Sequence, residues 1–464
     1  MSVTSELCHK IAGTHRGALT GEAVAAAQRL VLDGLAVAVA GSREDAIRIL
    51  ADHVASQGAL GDATVLGHGT KRATVAAASL NGAAMHVLDF EPMWSPANHA
   101  LSTTLPAVLA LAETTDAPGS EVLTALVKGI EVQGWLRQAS RQWEARNLVF
   151  HPPGVVGPIG AAVAAGHLLA LDEHRLAHAI GIAASRSASL LANVGTMTKS
   201  THCGHAAAAG LESALLAARG FTANPHIFDV AQGFPQAFSP ELVAEELLGF
   251  GPPFRLVDPG FAVKMFPCQF GTHFGITAAL TLHRQLPAAA VLRAVHLQAP
   301  VMPYVDRPRP ESGLAGKFSL QYTVAGALLD GFVGLGTFRD ERLERADMQQ
   351  LLPRIRLTMS PDIPGRFEDM FVLLDIELAD GQTLRTRCDG PAGIWGSPPI
   401  AAADHLAKIT DCLGAVLPQP QIDELVDLAG RLDQLTNPQV RQLISMAGGA
   451  SVSSSVSSSA APVA

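Results

Sequence analysis

The sequence predicts a mainly α large domain, a helical bundle, with a smaller α+β lid domain inserted into it. Three observations carry that prediction. From about Gly21 to Gly260 the chain is a succession of Ala/Leu-rich segments separated by Gly, Pro and Asp breaks. After Gly260 the composition shifts to short β-branched or alternating runs, the pattern of strands. Beyond Pro399 it returns to helical patterning.

Glu22–Val39, Arg72–Leu88, Thr104–Thr114, Gly119–Ser140, Val155–Leu171 and Glu173–Leu190 read as helices, and His202–Gly220 and Pro240–Leu248 continue the series. Many are apolar almost all round rather than along one stripe, as expected of helices buried in a large bundle. Val291–Gln298, Arg354–Met359 and Met370–Leu378 read as strands, and Thr383–Cys388 follows a turn at Asp380–Gln382. One helix, Gly316–Gly331, lies between the first two strands. Pro399–Leu413 and Pro420–Met446 read as helix again. The expected division is therefore residues 1–262 plus 393–448 as a discontinuous helical domain, 263–392 as the α+β lid, and 449–464 as a low-complexity, disordered tail.

Composition narrows the function classes. Hydrophobic residues make up 48% and charged ones 16%, so a large core is available and global disorder is excluded. The balance of 33 basic and 42 acidic side chains gives −9, which argues against nucleic acid or an anionic membrane as partner. Five cysteines with no CxxC pair fit reduced thiols. The first residues lack an apolar targeting core, and apolar runs such as Val155–Ala170 are short or broken, so a cytoplasmic protein is expected.

Five polar islands interrupt the apolar sequence. In LDFEPMWSPANHA, Asp89 stands at a helix end and a Pro-broken loop leads to His99; it is either a solvated connector or one wall of a pocket. NLVFHPPGVVGPIGAA places His151 before two prolines and a Gly-rich helix entry, a helix start that can also attract anions. VGTMTKSTHCGHAAAAG sets Lys199, His202 and His205 where a loop feeds an Ala-rich helix, against the preference of a helix N-terminus for negative charge. His202 and His205 have a spacing that a metal can use, but no HExxH accompanies them. VKMFPCQFGTHFG holds Lys264 and His273, and ESGLAGKFSLQYTVAGALLDG holds Lys317 and Tyr322, the latter equally readable as a core residue. Lys199, Lys264 and Lys317 are three of only seven lysines. A pocket gathering them inside an acidic chain suits a small di- or tricarboxylate. No P-loop, GxGxxG, GxSxG or EF-hand loop is present.

Taken in order, LNGAAMHVLDFEPMWSPANH, FHPPGVVGPIGAA, GTMTKSTHCGHAAAAG, KMFPCQFGTH and GKFSLQYTVAGALLDG resemble the MmgE/PrpD family, over nearly the whole chain from about Glu22 to Met446. The resemblance implies a homodimer, a cleft between the two domains, and a cofactor- and metal-independent lyase. The reaction it implies is decarboxylation of a cis-aconitate-like substrate or dehydration of a 2-methylcitrate-like one. Epimerisation of an imino- or amino-dicarboxylate, and simple carboxylate binding, are the alternatives. It further implies active-site positions at Asp89, His99, His151, Lys199, His273 and Tyr322. On this reading His99 is the general acid/base oriented by Asp89, and Lys199, His151 and His273 meet developing negative charge. Tyr322 relays a proton from the lid. The family often carries Thr where this chain has Met93, and Glu91–Pro92 alter the adjoining acidic run. Loss of a pocket hydroxyl at Met93 bears on the substrate.

Overall fold

Small side chains set how closely the first helices approach. In the computed structural model, which describes residues 2–449 except 59, 144–147, 288–289 and 396–399, nine helices precede the polar segment that starts near Phe221. They are α1 (Val3–Gly13), α2 (Gly21–Gly41), α3 (Asp45–Ser56), α4 (Thr74–Val87), α5 (Ala100–Thr114), α6 (Gly119–Ala139), α7 (Pro152–Leu168), α8 (Glu173–Ala184) and α9 (Thr198–Ala218). A β-carbon added at Gly82 of α4 would lie 2.9 Å from the α-carbon of Gly204 in α9, so backbone meets backbone where these helices cross. α7 is buried over nearly its whole length, from Pro152 to Gly166. A short α10 (Phe234–Phe238) follows.

The second part holds α11 (Phe270–His283), α12 (Gly313–Gly316), α13 (Leu320–Asp330), α14 (Asp340–Glu344) and α15 (Ala346–Leu351) with the largest sheet. Along the chain the strands are β1 (Ala63–Val65), β2 (Thr70–Arg72), β3 (Met93–Trp94), β4 (Phe261–Ala262), β5 (Leu292–Pro300), β6 (Ile355–Ser360), β7 (Val372–Leu378) and β8 (Thr383–Cys388). The four-stranded sheet has the order β6-β5-β7-β8, with β5–β6 parallel and the other pairs antiparallel. β7 alternates buried and half-buried residues, the signature of a sheet with one face on a core. That face and the helices α11 and α13 share an apolar cluster with Met93, Phe270 and Tyr322. α16 (Ala402–Gly414), α17 (Gln419–Gly430) and α18 (Asn437–Ala447) then return to the first helices and join the cluster built on α2, α5 and α6. The protein is mainly α with one small mixed sheet and two two-stranded ribbons.

Some elements depart from the sequence expectation, each for a local reason. α3 was not anticipated: it is amphipathic, lies outside the Ala/Leu-rich runs, and only Ile47 of it is fully buried. α11 was not anticipated either: its Phe, Thr, Gly and His residues are weak helix formers, but Gln269 caps it by accepting from the Thr272 amide. The helix expected over Glu173–Leu190 stops at Ala184, because the Ser187 hydroxyl donates to Val155 O and the Ala188 amide to Gly154 O. Pro240–Leu248 yields only a 3₁₀ turn at Ala244–Gly249. The helix expected over Pro420–Met446 is two, α18 restarting from a capping box between Thr436 and Gln439. Gly316–Gly331 is interrupted at Lys317–Ser319. The expected disordered tail lies outside the described residues apart from Gly449.

One helix among the described residues, α2, is long and apolar enough to cross a membrane, which the sequence reading did not anticipate; 72% of its most apolar window is buried inside the protein. Asp33 at its centre explains the packing. Its carboxylate accepts from Lys408 at 3.0 and 2.8 Å and contacts His405 at 2.9 Å, both on α16. Removing one partner of a buried ion pair costs about 3–5 kcal/mol, since the other charge stays desolvated. Asp33→Ala is therefore expected to lower stability by about that amount, read from the urea midpoint. A loss under about 1 kcal/mol would show that Lys408 finds other solvation.

Candidate active site

α4 ends in a conformation that few side chains tolerate. Leu88 closes the helix and Asp89 follows at φ 51°, in the left-handed region where aspartate is among the few non-glycine residues found. The turn exposes three successive carbonyls, and a buried lysine meets each. Lys317 Nζ donates to Leu88 O at 3.2 Å, Lys264 Nζ to Asp89 O at 2.9 Å, and Lys408 Nζ to Phe90 O at 2.9 Å. Helix C-termini favour cations, because their last carbonyls lack partners. β3, paired with β4 through Met93–Ala262 and Trp94–Phe261, then fixes the loop that leads to His99.

The Asp89 side chain is a second anchor. Its Oδ2 accepts from Lys199 Nζ at 2.9 Å and its Oδ1 from Lys264 Nζ. Burial opposes ionisation, but Lys199 and Lys264, helped by His99 and His86, hold the carboxyl well below its usual range. Glu91, fully buried, forms a parallel arrangement: it bonds His86 Nδ1, accepts from Ser102 Oγ at 3.0 Å and lies 3.0 Å from His99 Nδ1. Against burial, His86 and then His99 hold its carboxyl down as well.

Four helices begin around one cavity. His99 is the N-cap of α5, His151 that of α7 and Gln269 that of α11, and Lys199 is in the first turn of α9. All four residues line a cavity with about 630 Å³ of empty space, part of it solvent, together with Asp89, Met93, Lys264 and Tyr304. Helix N-termini present free amides and positive dipole ends, so their convergence favours an anion. Pro152 and Pro153 open α7, where the missing amide hydrogen costs nothing. The imidazoles form a chain, with ring centroids 4.4 Å apart for His86–His99, 5.7 Å for His99–His151 and 5.3 Å for His151–His202. Burial first, and then Lys199, pushes His86 down to about 3 and His202 to about 4, and drives His151 well below the usual range. These three rings are neutral at neutral pH.

Asp89, Met93, His99, His151 and Lys199, singled out from the sequence, are thus brought together. Two others are not. His273 is behind the wall, its Nε2 3.3 Å from Cys268 O and its ring against Phe266 and Phe270. Tyr322 is fully buried and donates its hydroxyl to Thr337 O, so the relay expected of it has no hydroxyl in the cavity. The residues that do face it from the same region are Gln269, four before His273, and Tyr304, the chain's other tyrosine, whose hydroxyl is 3.4 Å from Gln269 Nε2. Asp89 was expected to orient the His99 ring; its Oδ1 is 3.8 Å from Nε2, while Glu91 is the nearer carboxylate. Glu91 was legible only as a departure from the usual acidic run. Lys264 was noted as a cation but not as the second partner of Asp89.

Among the described residues, His86, His99 and His151 bring ring nitrogens within 4.8 Å of one another, close enough to hold an ion, although the sequence resemblance implies none. His86 already spends one nitrogen on Glu91.

Residues 5–246 match the MmgE/PrpD N-terminal domain and residues 266–433 the MmgE/PrpD C-terminal domain. The chain is 31% identical over 452 residues to the cis-aconitate decarboxylase of Mus musculus, covering 95% of this chain and 92% of that one. It is 30% identical over 451 residues to the Homo sapiens cis-aconitate decarboxylase, with 95% and 93% covered. To the cis-aconitate decarboxylase of Aspergillus terreus it is 27% identical over 464 residues, with 94% of each chain covered.

Two measurements test this description of the site. Unfolded imidazoles titrate near about 6.5, whereas the folded values of His86, His202 and, through burial and Lys264, His273 (about 3) are depressed. The unfolded state therefore takes up protons first. Stability should be complete above about pH 6.5 and fall below it by up to about 1.4 kcal/mol per pH unit for each such histidine. Urea midpoints across that range check this, and a flat profile contradicts the neutral-histidine chain. Prolonged EDTA treatment is expected to leave turnover unchanged; loss that zinc or iron restores would place an ion on His86, His99 and His151.

Proposed function

Because the chain belongs to the MmgE/PrpD family, we infer that it is a carboxylate lyase and that it decarboxylates a small unsaturated polycarboxylate of the cis-aconitate type. One observation carries this reading: Lys199, Lys264 and Asp89 form a buried charged knot beside His99 and His151, where four helix N-termini meet. Five buried free cysteines and the acidic charge balance agree with an enzyme of a reducing, cytoplasmic compartment.

When CO₂ leaves, the electron pair of the broken C–C bond remains on the substrate and spreads into the conjugated chain toward a retained carboxylate. That charge needs fixed donors in a water-poor site. Lys199 Nζ and the positive dipole ends of α5, α7 and α9 supply them. Lys264, with its donors spent on Asp89 and Cys268 O, keeps the Asp89 carboxylate in place rather than facing the substrate alone. His99 delivers the proton that completes the new C–H bond, with Asp89 and Glu91 on either side to balance an imidazolium. His151, held neutral, donates or accepts one hydrogen bond without adding charge. Loss of water would use the same groups, and cis-aconitate, citrate and 2-methylcitrate assayed by NMR in D₂O separate the two by their products.

His99→Ala and Lys199→Ala are each expected to lower kcat/KM by about 100-fold or more while the folded protein persists. Activity within about threefold of wild type in either variant contradicts the assignment.

A further inference from the structure

Donor capacity in the cavity is unevenly spent. Of the two lysines in the lining, Lys264 uses its ammonium on Asp89 O, Asp89 Oδ1 and Cys268 O. Among the described residues Lys199 Nζ donates only to Asp89 Oδ2, so it keeps hydrogens for a ligand. One such ammonium serves one carboxylate well, and a polycarboxylate brings more than one. Asn98, also in the lining, is buried and turns its amide nitrogen to Gln133 Oε1 at 3.0 Å.

Gln269 and Tyr304 hold donors in reserve. The Gln269 side chain is oriented from its own helix: its Oε1 accepts from the Thr272 amide at 3.3 Å as it caps α11. Its backbone is held as well, the amide donating to Lys317 O at 3.0 Å. The side-chain nitrogen is left to Tyr304 and donates to the hydroxyl oxygen at 3.4 Å. Among the described residues, neither the second hydrogen of that nitrogen nor the hydroxyl hydrogen of Tyr304 has an acceptor. Tyr304 is fixed in turn. It stands in the 3₁₀ turn Pro303–Val305, and Arg307 ties it to Val194, another lining residue, by donating to Tyr304 O at 3.1 Å and Val194 O at 3.0 Å. Burial pushes the Tyr304 hydroxyl up, against the pull of Gln269, so it stays protonated and able to donate. Two adjacent unspent donors, one on each residue, match the two oxygens of one carboxylate.

Resting on the lyase reading above, we propose that Gln269 Nε2 and Tyr304 Oη together bind one carboxylate of the substrate while Lys199 takes another. The pair selects for a substrate with at least two carboxylates, because a monocarboxylate leaves one set of donors unanswered. Neither donor is charged, so the second carboxylate is held without a further cation beside Lys199 and Lys264, whose ammonium groups already share Asp89.

The test titrates tricarballylate, a saturated tricarboxylate, calorimetrically into the wild-type protein, Gln269→Glu and Tyr304→Phe, and assays the wild type for CO₂ from cis-aconitate. Gln269→Glu keeps an oxygen to cap α11 but exchanges the donating nitrogen for a second carboxylate oxygen. Tyr304→Phe removes the hydroxyl alone. Each is expected to weaken binding by about tenfold or more, the loss of a hydrogen bond to a charged group. A loss under about tenfold in either variant overturns the proposal, as does a wild type that binds no tricarballylate. Affinity lost in both variants, with no CO₂ from cis-aconitate, upholds the carboxylate-binding pair and removes the lyase reading instead. CO₂ release by the wild type with affinity unmoved in the variants does the reverse.

Discussion

A single carboxylate organises this protein. Asp89 is buried, charged and locked in a left-handed turn, and such a group survives in a protein interior only if cations meet it at close range. Lys199 arrives from the start of α9 and Lys264 from the segment after β4. Neither lysine is solvated enough to stand alone, so the three charges depend on one another. The geometry of the cavity follows: fixing Asp89 fixes the end of α4, the loop through Met93, and the entry of α5 where His99 stands.

Charge is rationed with care around this knot. Glu91 repeats the pattern with imidazoles in place of lysines, which allows a carboxylate to be buried 0% exposed without a third cation. His86, His151 and His202 stay neutral because burial and the nearby Lys199 ammonium both oppose a proton. The site therefore concentrates its positive charge on ammonium groups and helix N-termini, whose positions are rigid, and leaves its rings free to exchange hydrogen bonds. Donors that need no reorientation as charge develops are the most effective kind.

Much of this was legible in the sequence, and what was not has a physical reason. Helices with uniform apolar character, such as α2, α6 and α7, announce themselves as long Ala/Leu-rich runs, and strands such as β7 and β8 by their alternation. α3 and α11 do not stand out in that way, because one is short and interleaved with polar residues and the other is built from residues of weak helix propensity. The polar islands identified which segments meet at the site. They did not say which way each side chain faces. His273 and Tyr322 sit on helices α11 and α13 that pack against the sheet, and both turn inward to the core. Gln269, one turn earlier on α11, and Tyr304, in a short 3₁₀ turn, take the cavity-facing places. Spacing along a chain cannot distinguish those two directions when both faces of a helix are buried.

The three lysines on the carbonyls of Leu88, Asp89 and Phe90 come from 229, 175 and 318 residues further along the chain. Closing loops of that length costs little more than closing shorter ones, but each contact must wait until its lysine has been synthesised. A nascent chain that has released only its first helices holds Asp89 with one partner, Lys199, and with its three carbonyls unanswered. The three contacts on this turn therefore become available one after another, Lys264 first, then Lys317, and Lys408 of α16 last of the three. Order of synthesis is thus written into the site: the last of these three lysines to be made secures a turn synthesised long before it.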